Sequence, residues 1–206
     1  MEELILEKAK DLFFSYGLKG VSMDDVAKYA GISKKTIYKV FEDKTQIVQR
    51  LVSDLLLCHR QLLKQSFEQA KDAVDEVCRS TQAPLSKIAD VNPCFFYELE
   101  KSFPTIWQLI EEYKRKVLVP SIIQNLEKGL DEGVYRQDID SQFVADVRLQ
   151  QVMKVFTRKA FVGESRQSHK LMVQLTDFYL HAIATENGKK LINKYLNVNN
   201  EKQFSN

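Results

Sequence analysis

Residues 22–44 read SMDDVAKYAGISKKTIYKVFEDK, and their pattern indicates two short helices followed by the start of a third. The first part of this stretch has apolar residues at the spacing of one helical face, namely Met23, Val26, Ala27 and Ala30. Ser22 followed by Asp25 is an N-cap pattern, because the serine oxygen can accept a free backbone N–H of the first turn. Gly31 predicts the end of this helix, since glycine adopts the left-handed conformation without a Cβ penalty.

A second short helix is predicted after the glycine turn. Ser33 is placed to cap it, and Ile37 and Phe41, four residues apart, face inward. The outward side chains are then Lys34, Lys35, Thr36, Tyr38 and Lys39. Asp43 followed by Gln46 predicts the start of a third helix. Two helices joined by a glycine turn, with a basic and hydroxyl-bearing outer face, predict a helix-turn-helix.

The position of the lysines indicates a nucleic-acid partner. Lys34, Lys35 and Lys44 fall in first turns of helices, where a cation opposes the helix dipole by about 0.3–1 kcal/mol. A phosphate or guanine edge at the same helix end would remove this conflict. Residues 28–50 hold six cations and two acids, whereas residues 1–27 hold three cations and six acids. The alternative is that these lysines form only a solvated surface. We prefer the first interpretation and predict binding of double-stranded DNA.

The same stretch resembles the DNA-binding domain of the TetR/AcrR family of transcriptional regulators. The matching residues are Phe13, Gly17, Gly20-Val21-Ser22, Val26-Ala27, Ala30-Gly31-Ile32-Ser33, Thr36-Ile37-Tyr38, Phe41 and Lys44. The resemblance implies that Thr36, Tyr38 and Lys44 hold phosphates. It also implies that Lys34, Lys35 and Lys39 contact bases or neighbouring phosphates.

The chain departs from the family pattern at two positions. Lys35 stands where a small residue is frequent, which bears on sequence preference, and Val40 stands where a histidine is frequent, which bears on packing. The resemblance is specific over about the first fifty residues. Beyond them only length and helical layout match.

Composition predicts an all-α protein without a disulfide framework. The 206 residues include seven glycines and four prolines, and no alternating strand-like run is present. Cys58, Cys78 and Cys94 are odd in number and have no metal-ligand spacing, which favours a reducing cytoplasm and leaves a redox role of one thiol open. The start Met-Glu-Glu has no signal-peptide pattern, and no apolar run is long enough to cross a membrane. We therefore expect a cytoplasmic protein without a metal or cofactor.

The expected architecture has two domains. An N-terminal three-helix domain, residues 1–46, is joined by a continuous helix to a larger helical domain, residues 47–206, for effector binding and dimerisation. The first helix is predicted from about Glu2 to Tyr16, with Tyr16 on its inward face. The connecting helix is predicted to run from Lys44 toward Leu62 or Leu63 without a break.

Later segments predict further helices and a dimer interface. A long helix is expected from Pro104 to Gly133, with a kink at Pro120. The segments 143–162 and 171–184 are apolar around more than half of each helix, which predicts a homodimer formed through these helices. The alternative is that both are central helices of a monomer core. Phe178 and Val152 are predicted to point outward at this interface. The polar tail, residues 197–206, is predicted to be frayed.

A cluster of aromatic residues is the candidate effector site. It consists of Phe95, Phe96, Tyr97, Trp107 and Tyr113, with Met153 and Phe156 on a neighbouring helix. By resemblance to the family this region encloses a ligand pocket, and its apolar lining would suit a hydrophobic or aromatic small molecule. The alternative is that these rings only fill the core.

No catalytic site is predicted. His59, His169 and His181 have no metal-ligand spacing, and the chain has neither a phosphate-binding glycine loop nor a nucleophile elbow. The sequence predicts a DNA-binding repressor released from a palindromic operator by a small effector. The alternatives are a DNA-binding dimer regulated by a protein partner, and an all-helical interaction protein that does not bind DNA.

Overall fold

The computed structural model describes residues 1–82, 92–157 and 168–203. Within these ranges the chain forms eleven α-helices, one π-helical turn and one isolated β-bridge, between Tyr135 and Ala184. The helices are α1 Glu2–Tyr16, α2 Met23–Tyr29, α3 Lys34–Tyr38, α4 Lys44–Gln69, α5 Ala73–Gln82, α6 Pro93–Ser102, α7 Pro104–Tyr113, α8 Val119–Asp131, α9 Ser141–Thr157, α10 Ser168–Ile183 and α11 Glu186–Gln203. The predicted all-α class is confirmed.

Local capping builds the helix-turn-helix as the sequence predicts. The Ser22 hydroxyl accepts the Asp25 N–H at 3.2 Å, and the Asp25 carboxylate accepts the Ser22 N–H at 2.8 Å. Gly31 follows α2 with φ 66°, the left-handed conformation expected there. The Ser33 hydroxyl then accepts the Thr36 N–H at 3.1 Å and starts α3. The path of the chain between the two helices is therefore fixed by contacts within residues 22–36.

The N-terminal core differs from the prediction at Tyr16. Ile5, Ala9, Phe13 and Ile37 are fully buried, as α1 packs across the helix-turn-helix. Tyr16, however, is 69% exposed, and its inward assignment was wrong. The chain turns at Gly17, where φ is 80°, so Leu18 and not Tyr16 enters the core.

Helix α4 connects the two halves of the chain. The Asp43 carboxylate accepts the Gln46 N–H at 2.9 Å, while the Gln46 side chain accepts the N–H of Glu42 rather than that of Asp43. The helix runs unbroken for 26 residues, beyond its predicted end, and is about 39 Å long. Its first turns pack in the N-terminal core, and the same core takes in α6 and α7. The division at residue 46/47 stays a prediction.

The segment from α7 to α8 contains a widened turn. Residues Lys114–Leu118 form a π-helical turn between the two helices. Pro120 lies two residues after it and cannot donate a backbone hydrogen bond to the preceding turn, which explains the irregularity at this place. The sequence predicts a kink here, and the structure has a π-helical turn.

The C-terminal half packs around a second core. Leu126, Tyr135, Leu180 and Ile192 are fully buried there, together with residues of α5 and α9. Helix α11 reaches Gln203, so the prediction of a frayed tail from residue 197 was wrong as far as this helix extends. This helix was not predicted from the sequence, and it begins where the Thr185 hydroxyl accepts the Gly188 N–H at 3.2 Å. Within residues 1–82, 92–157 and 168–203, no helix is long and apolar enough to span a bilayer.

Candidate nucleic-acid interface and effector cleft

The exposed face of α3 brings the predicted DNA-contacting residues together. Lys34, Lys35 and Lys39 are exposed, and the Tyr38 ring is 45% exposed. Thr36 is half-buried, with its hydroxyl 2.8 Å from the Ser33 hydroxyl. We call these five side chains, Lys34, Lys35, Thr36, Tyr38 and Lys39, the α3 face. A protruding set of cations and hydroxyls on one short helix suits the contour of a DNA groove.

Lys34 already has an acidic neighbour. Its ammonium lies 2.7 Å from the Asp24 carboxylate of α2, and this contact raises the pKa of Lys34. Both side chains are about 60% exposed, and an exposed ion pair in water is weak enough for a phosphate to compete with it. Within the residues that the structure describes, no carboxylate lies within ion-pair distance of Lys35 or Lys39. The α3 face therefore keeps its positive charge.

Lys44 has a structural contact that the sequence analysis missed. Its ammonium donates to the backbone carbonyls of Leu18 and Val21, the latter at 2.5 Å, and lies 5.4 Å from the centre of the Phe13 ring. Burial lowers the pKa of Lys44. The residue thus ties the α1–α2 connection to the start of α4, and one ammonium N–H is left for a phosphate.

Helix α6 holds the end of α1 directly. The Asn92 N–H donates to the Phe14 carbonyl at 2.7 Å, and the Asn92 side chain donates to the Ser15 carbonyl at 3.0 Å. The Glu98 carboxylate accepts the Lys19 N–H at 2.8 Å. Gly17 has φ 80°, a conformation that favours glycine, and a Cβ there would lie 2.9 Å from that carboxylate, so the absence of a side chain at this position allows the close approach. The helix-turn-helix domain is therefore held by α6 as well as by α4.

A cleft of about 600 Å³ lies behind α4, where α5, the π-helical turn, α8, α9 and α10 meet it. Its volume is in the range of small-molecule sites, about 300–1,000 Å³. Most of its lining is apolar and includes Leu57, Leu63, Val77, Ile122, Leu149 and Val152. Val152 was predicted to point outward, and its place in this lining corrects that assignment.

Two polar groups of the cleft are shielded from solvent, His59 half-buried and Arg148 buried. His59 Nδ1 lies 2.7 Å from the Tyr113 hydroxyl, and burial lowers the pKa of His59 to about 4. Arg148 is 4% exposed and lines the cleft opposite α4. Burial lowers the pKa of Arg148 to about 10, so its guanidinium stays charged at neutral pH. The cleft thus combines an apolar wall, a neutral imidazole and a buried cation.

The predicted effector residues do not all lie at one cavity. Phe95, Phe96, Tyr113 and Met153 surround a second cavity of only about 90 Å³. Phe95 is fully buried, with its ring edge-to-face on Phe14 and Phe96, so it belongs to the core. Tyr97, which is 45% exposed, and Trp107 line neither cavity, and the side chain of Phe156 lies outside the described residues. His59 and Val152 line both cavities.

Other reactive groups in the described part of the chain do not form a metal or thiol site. Among the residues that the structure describes, no three His, Cys, Asp or Glu side chains are placed to hold a metal ion. The three cysteines are free, and burial raises the pKa of Cys78 to about 12, which keeps this thiol protonated.

A small helix-turn-helix domain carried on a larger helical body defines a DNA-binding transcriptional regulator. Residues 5–51 match the family model described as bacterial regulatory proteins, tetR family. The N-terminal domain therefore belongs to the TetR family. Its relatives are transcriptional regulators and not enzymes, and the same holds for this chain.

Relatives extend the match beyond the N-terminal domain. The HTH-type transcriptional regulator YhgD of Bacillus subtilis is 28% identical over 151 residues, covering 72% of this chain and 78% of YhgD. The transcriptional repressor KstR2 of Mycobacterium tuberculosis is 27% identical over 154 residues, covering 68% and 72%.

Solved structures share the fold along most of the chain. KstR2 of M. tuberculosis, a ketosteroid transcriptional regulator, has a TM-score of 0.68 at 19% identity and covers 90% of this chain and 95% of its own. The repressor FadR of Thermus thermophilus, solved with lauroyl-CoA, has a TM-score of 0.57 at 20% identity and covers 90% and 96%.

Proposed function

We propose that the chain is a cytoplasmic repressor that binds a near-palindromic operator as a homodimer and is released by a small apolar or aromatic effector. The observation that carries this proposal is helix α4. Its first residue, Lys44, ties down the DNA-binding domain, and its later residues Leu57, His59 and Arg60 line the cleft. Because the helix has no break, a displacement at the cleft also moves the α3 face. The names of KstR2 and of FadR with lauroyl-CoA support a repressor with an apolar effector.

The α3 face is proposed to enter the major groove. Lys34, Lys35 and Lys39 would contact base edges or nearby phosphates, and Thr36 and Tyr38 would hold the backbone. Lys44 would give its remaining N–H to a phosphate while it keeps its two carbonyl acceptors. Each phosphate contact contributes about 0.9 to the slope of log affinity against log salt concentration.

The DNA proposal is tested on a site selected from random sequence. The triple variant Lys34→Ala, Lys35→Ala, Lys44→Ala should lose binding, and Lys44→Met alone should flatten the salt dependence by about one unit. Asp24→Asn should raise affinity, because it frees Lys34 and removes a negative charge beside the DNA. Glu127→Gln, an exposed acid on α8, is the charge-matched control and should leave affinity unchanged. Full binding by the triple variant would show that DNA is held elsewhere.

The effector proposal places the ligand in the cleft. A ligand shifts DNA affinity only as far as it prefers the non-binding conformation, and a nearly complete shift needs about 5.5 kcal/mol of preference. Ligand binding in the cleft can provide this preference, because the π-helical turn and α4 both line the cleft. Closure around a ligand would therefore move α4.

A library of apolar and aromatic compounds, titrated into the protein–DNA complex, tests this step. Leu149→Trp should fill the cleft and abolish release, while affinity for DNA stays unchanged. Phe96→Ala, at the smaller cavity, distinguishes the two spaces and should leave release intact. If no compound releases the DNA, regulation by a protein partner becomes the better explanation.

A further inference from the structure

Arg148 is the buried charge of the cleft. It extends from α9 with 4% of its surface exposed, and its guanidinium lies 4.7 Å from the centre of the Tyr179 ring. Nη2 donates to the Thr176 hydroxyl at 2.9 Å, and Nη1 makes a longer contact of 3.4 Å with the Leu175 carbonyl. These partners belong to α10, so Arg148 joins the two helices.

The guanidinium has more donors than these contacts use. It carries five N–H groups, and the two hydrogen bonds occupy one on each terminal nitrogen. In the part of the chain that the structure describes, no carboxylate forms an ion pair with Arg148. A buried charge without a counter-charge costs several kcal/mol, and structures normally compensate it with an anion. The open side of this cation is the cleft, whose wall it forms.

The other charges of the cleft increase its positive character. Arg60 and Lys64 line it from α4 and are exposed, which places them toward solvent. The acid in the lining, Glu76, is paired with Lys128 at 3.1 Å. Most of the surface of the remaining wall is apolar. A ligand that satisfies all of these groups has an anionic end and an apolar body.

We infer that the effector is an amphipathic carboxylate, with its carboxylate on Arg148 and its apolar body against the α4 and α8 side of the cleft. This inference rests on the proposed effector function and specifies the chemistry of the ligand. Arg suits this task because its planar donors match the two oxygens of a carboxylate. Thr176 and Tyr179 act as positioning residues that hold the guanidinium in place.

Calorimetric titration of the full-length protein with three matched probes tests the inference. Dodecanoate has the proposed head group, dodecanol lacks the charge, and dodecyl phosphate carries a different anion. Dodecanoate should bind about ten- to a hundredfold more tightly than dodecanol, the range expected for hydrogen bonds to a charged group. Tighter binding of dodecyl phosphate than of dodecanoate would overturn the assignment of a carboxylate.

Substitutions locate the head group. Arg148→Met should remove the preference for dodecanoate and leave dodecanol binding unchanged. It should also fold, because replacing a buried charge by an apolar side chain of similar length is often neutral or stabilising. Arg148→Lys should restore part of the preference, since it keeps the charge without the planar donors. Arg60→Met, the same change at the cleft rim, is the matched control and should keep the full preference.

The outcomes separate this inference from the proposed function. If dodecanol and dodecanoate bind equally well, and Arg148→Met binds like the wild type, the cleft takes an uncharged ligand and only the inference is wrong. If neither probe binds, the inference fails, and the library titration decides separately whether the cleft responds to any effector. If Arg60→Met rather than Arg148→Met loses the preference, the anion lies at the rim and the inference is wrong.

Discussion

His59 is a histidine that its surroundings keep uncharged. It lies between the two cavities, with its Nδ1 atom 2.7 Å from the Tyr113 hydroxyl, and burial lowers its pKa from 6.5 to about 4. The unfolded chain therefore binds a proton on this residue at a higher pH than the folded chain does. The resulting contribution to stability is complete above about pH 6.5 and is lost as the pH falls toward 4.

This linkage predicts a pH-dependent stability that one substitution removes. Between pH 7 and pH 4 the wild type should lose about 3 kcal/mol of unfolding free energy that His59→Gln does not lose. Urea unfolding at several pH values measures the difference. The matched control His181→Gln, which replaces an exposed histidine of α10, should keep the wild-type dependence. Identical pH profiles for the wild type and His59→Gln would contradict a neutral imidazole shielded from water at this position.

Contacts between α6 and α1 give the DNA-binding domain a second connection to the helical body. Asn92 and Glu98 bind backbone groups at the end of α1 and just after it, whereas α4 enters the domain from its other side. Phe95 of the same helix packs edge-to-face on Phe14. A movement of α4 relative to α6 would therefore rotate the α3 face, since the two helices hold different parts of the same small domain.

The second connection predicts a variant that loses the response but keeps DNA binding. Glu98→Ala removes the acceptor of the Lys19 N–H, and the capping contacts of α2 and α3 remain. Affinity for the selected DNA site should stay within about fivefold, because a single hydrogen bond contributes only about 1 kcal/mol. Release by an active library compound should require a higher concentration. Glu100→Ala, an exposed acid on the same helix, is the control. Equal release curves for Glu98→Ala and the wild type would show that α6 does not take part in the release of DNA by the effector.

The elements that sequence predicted well are those set by short-range interactions. Ser22, Gly31 and Ser33 fix the helix-turn-helix through contacts with residues at most a few positions away. Such contacts can be inferred from residue type and spacing alone. The uninterrupted α4 follows in the same way, because residues 45–68 contain neither glycine nor proline.

Long-range packing explains what the sequence did not predict. Gly129 lies so close to Tyr135 that an added Cβ would sit 2.0 Å from its ring, and Tyr135 in turn bonds to Asn125 and Ala73. No local pattern indicates such a pair. The cleft was missed for the same reason, since Arg148 becomes a cleft residue only when α9 meets α4 and α5. The aromatic residues chosen instead pack largely into the core.

At the scale of the whole molecule, α9 and α10 carry an apolar surface that this chain leaves uncovered. Phe143 and Phe178 are each 66% exposed, and Val147 is 40% exposed. The inner faces of the same two helices are buried, with Ala145, Leu171 and Leu180 in the interior. Exposed aromatic side chains on helices that are also apolar inside suit an isologous contact with a second copy of the chain. This surface supports the proposed homodimer.

The homodimer predicts both the oligomeric state and the shape of the DNA site. Phe178→Glu places a charge in the proposed contact and should yield a monomer, as measured by sedimentation at micromolar concentration. Tyr16→Glu makes the same kind of change at an exposed ring of α1 and should remain dimeric. On DNA the wild type should occupy two half-sites whose centres are about 34 Å apart, one helical turn, because two α3 faces related by a two-fold axis read one side of the duplex. The Phe178→Glu monomer should bind a single half-site and lose its dependence on half-site spacing. A stable wild-type monomer, or a Phe178→Glu variant that keeps the wild-type spacing preference, would contradict dimerisation through α9 and α10.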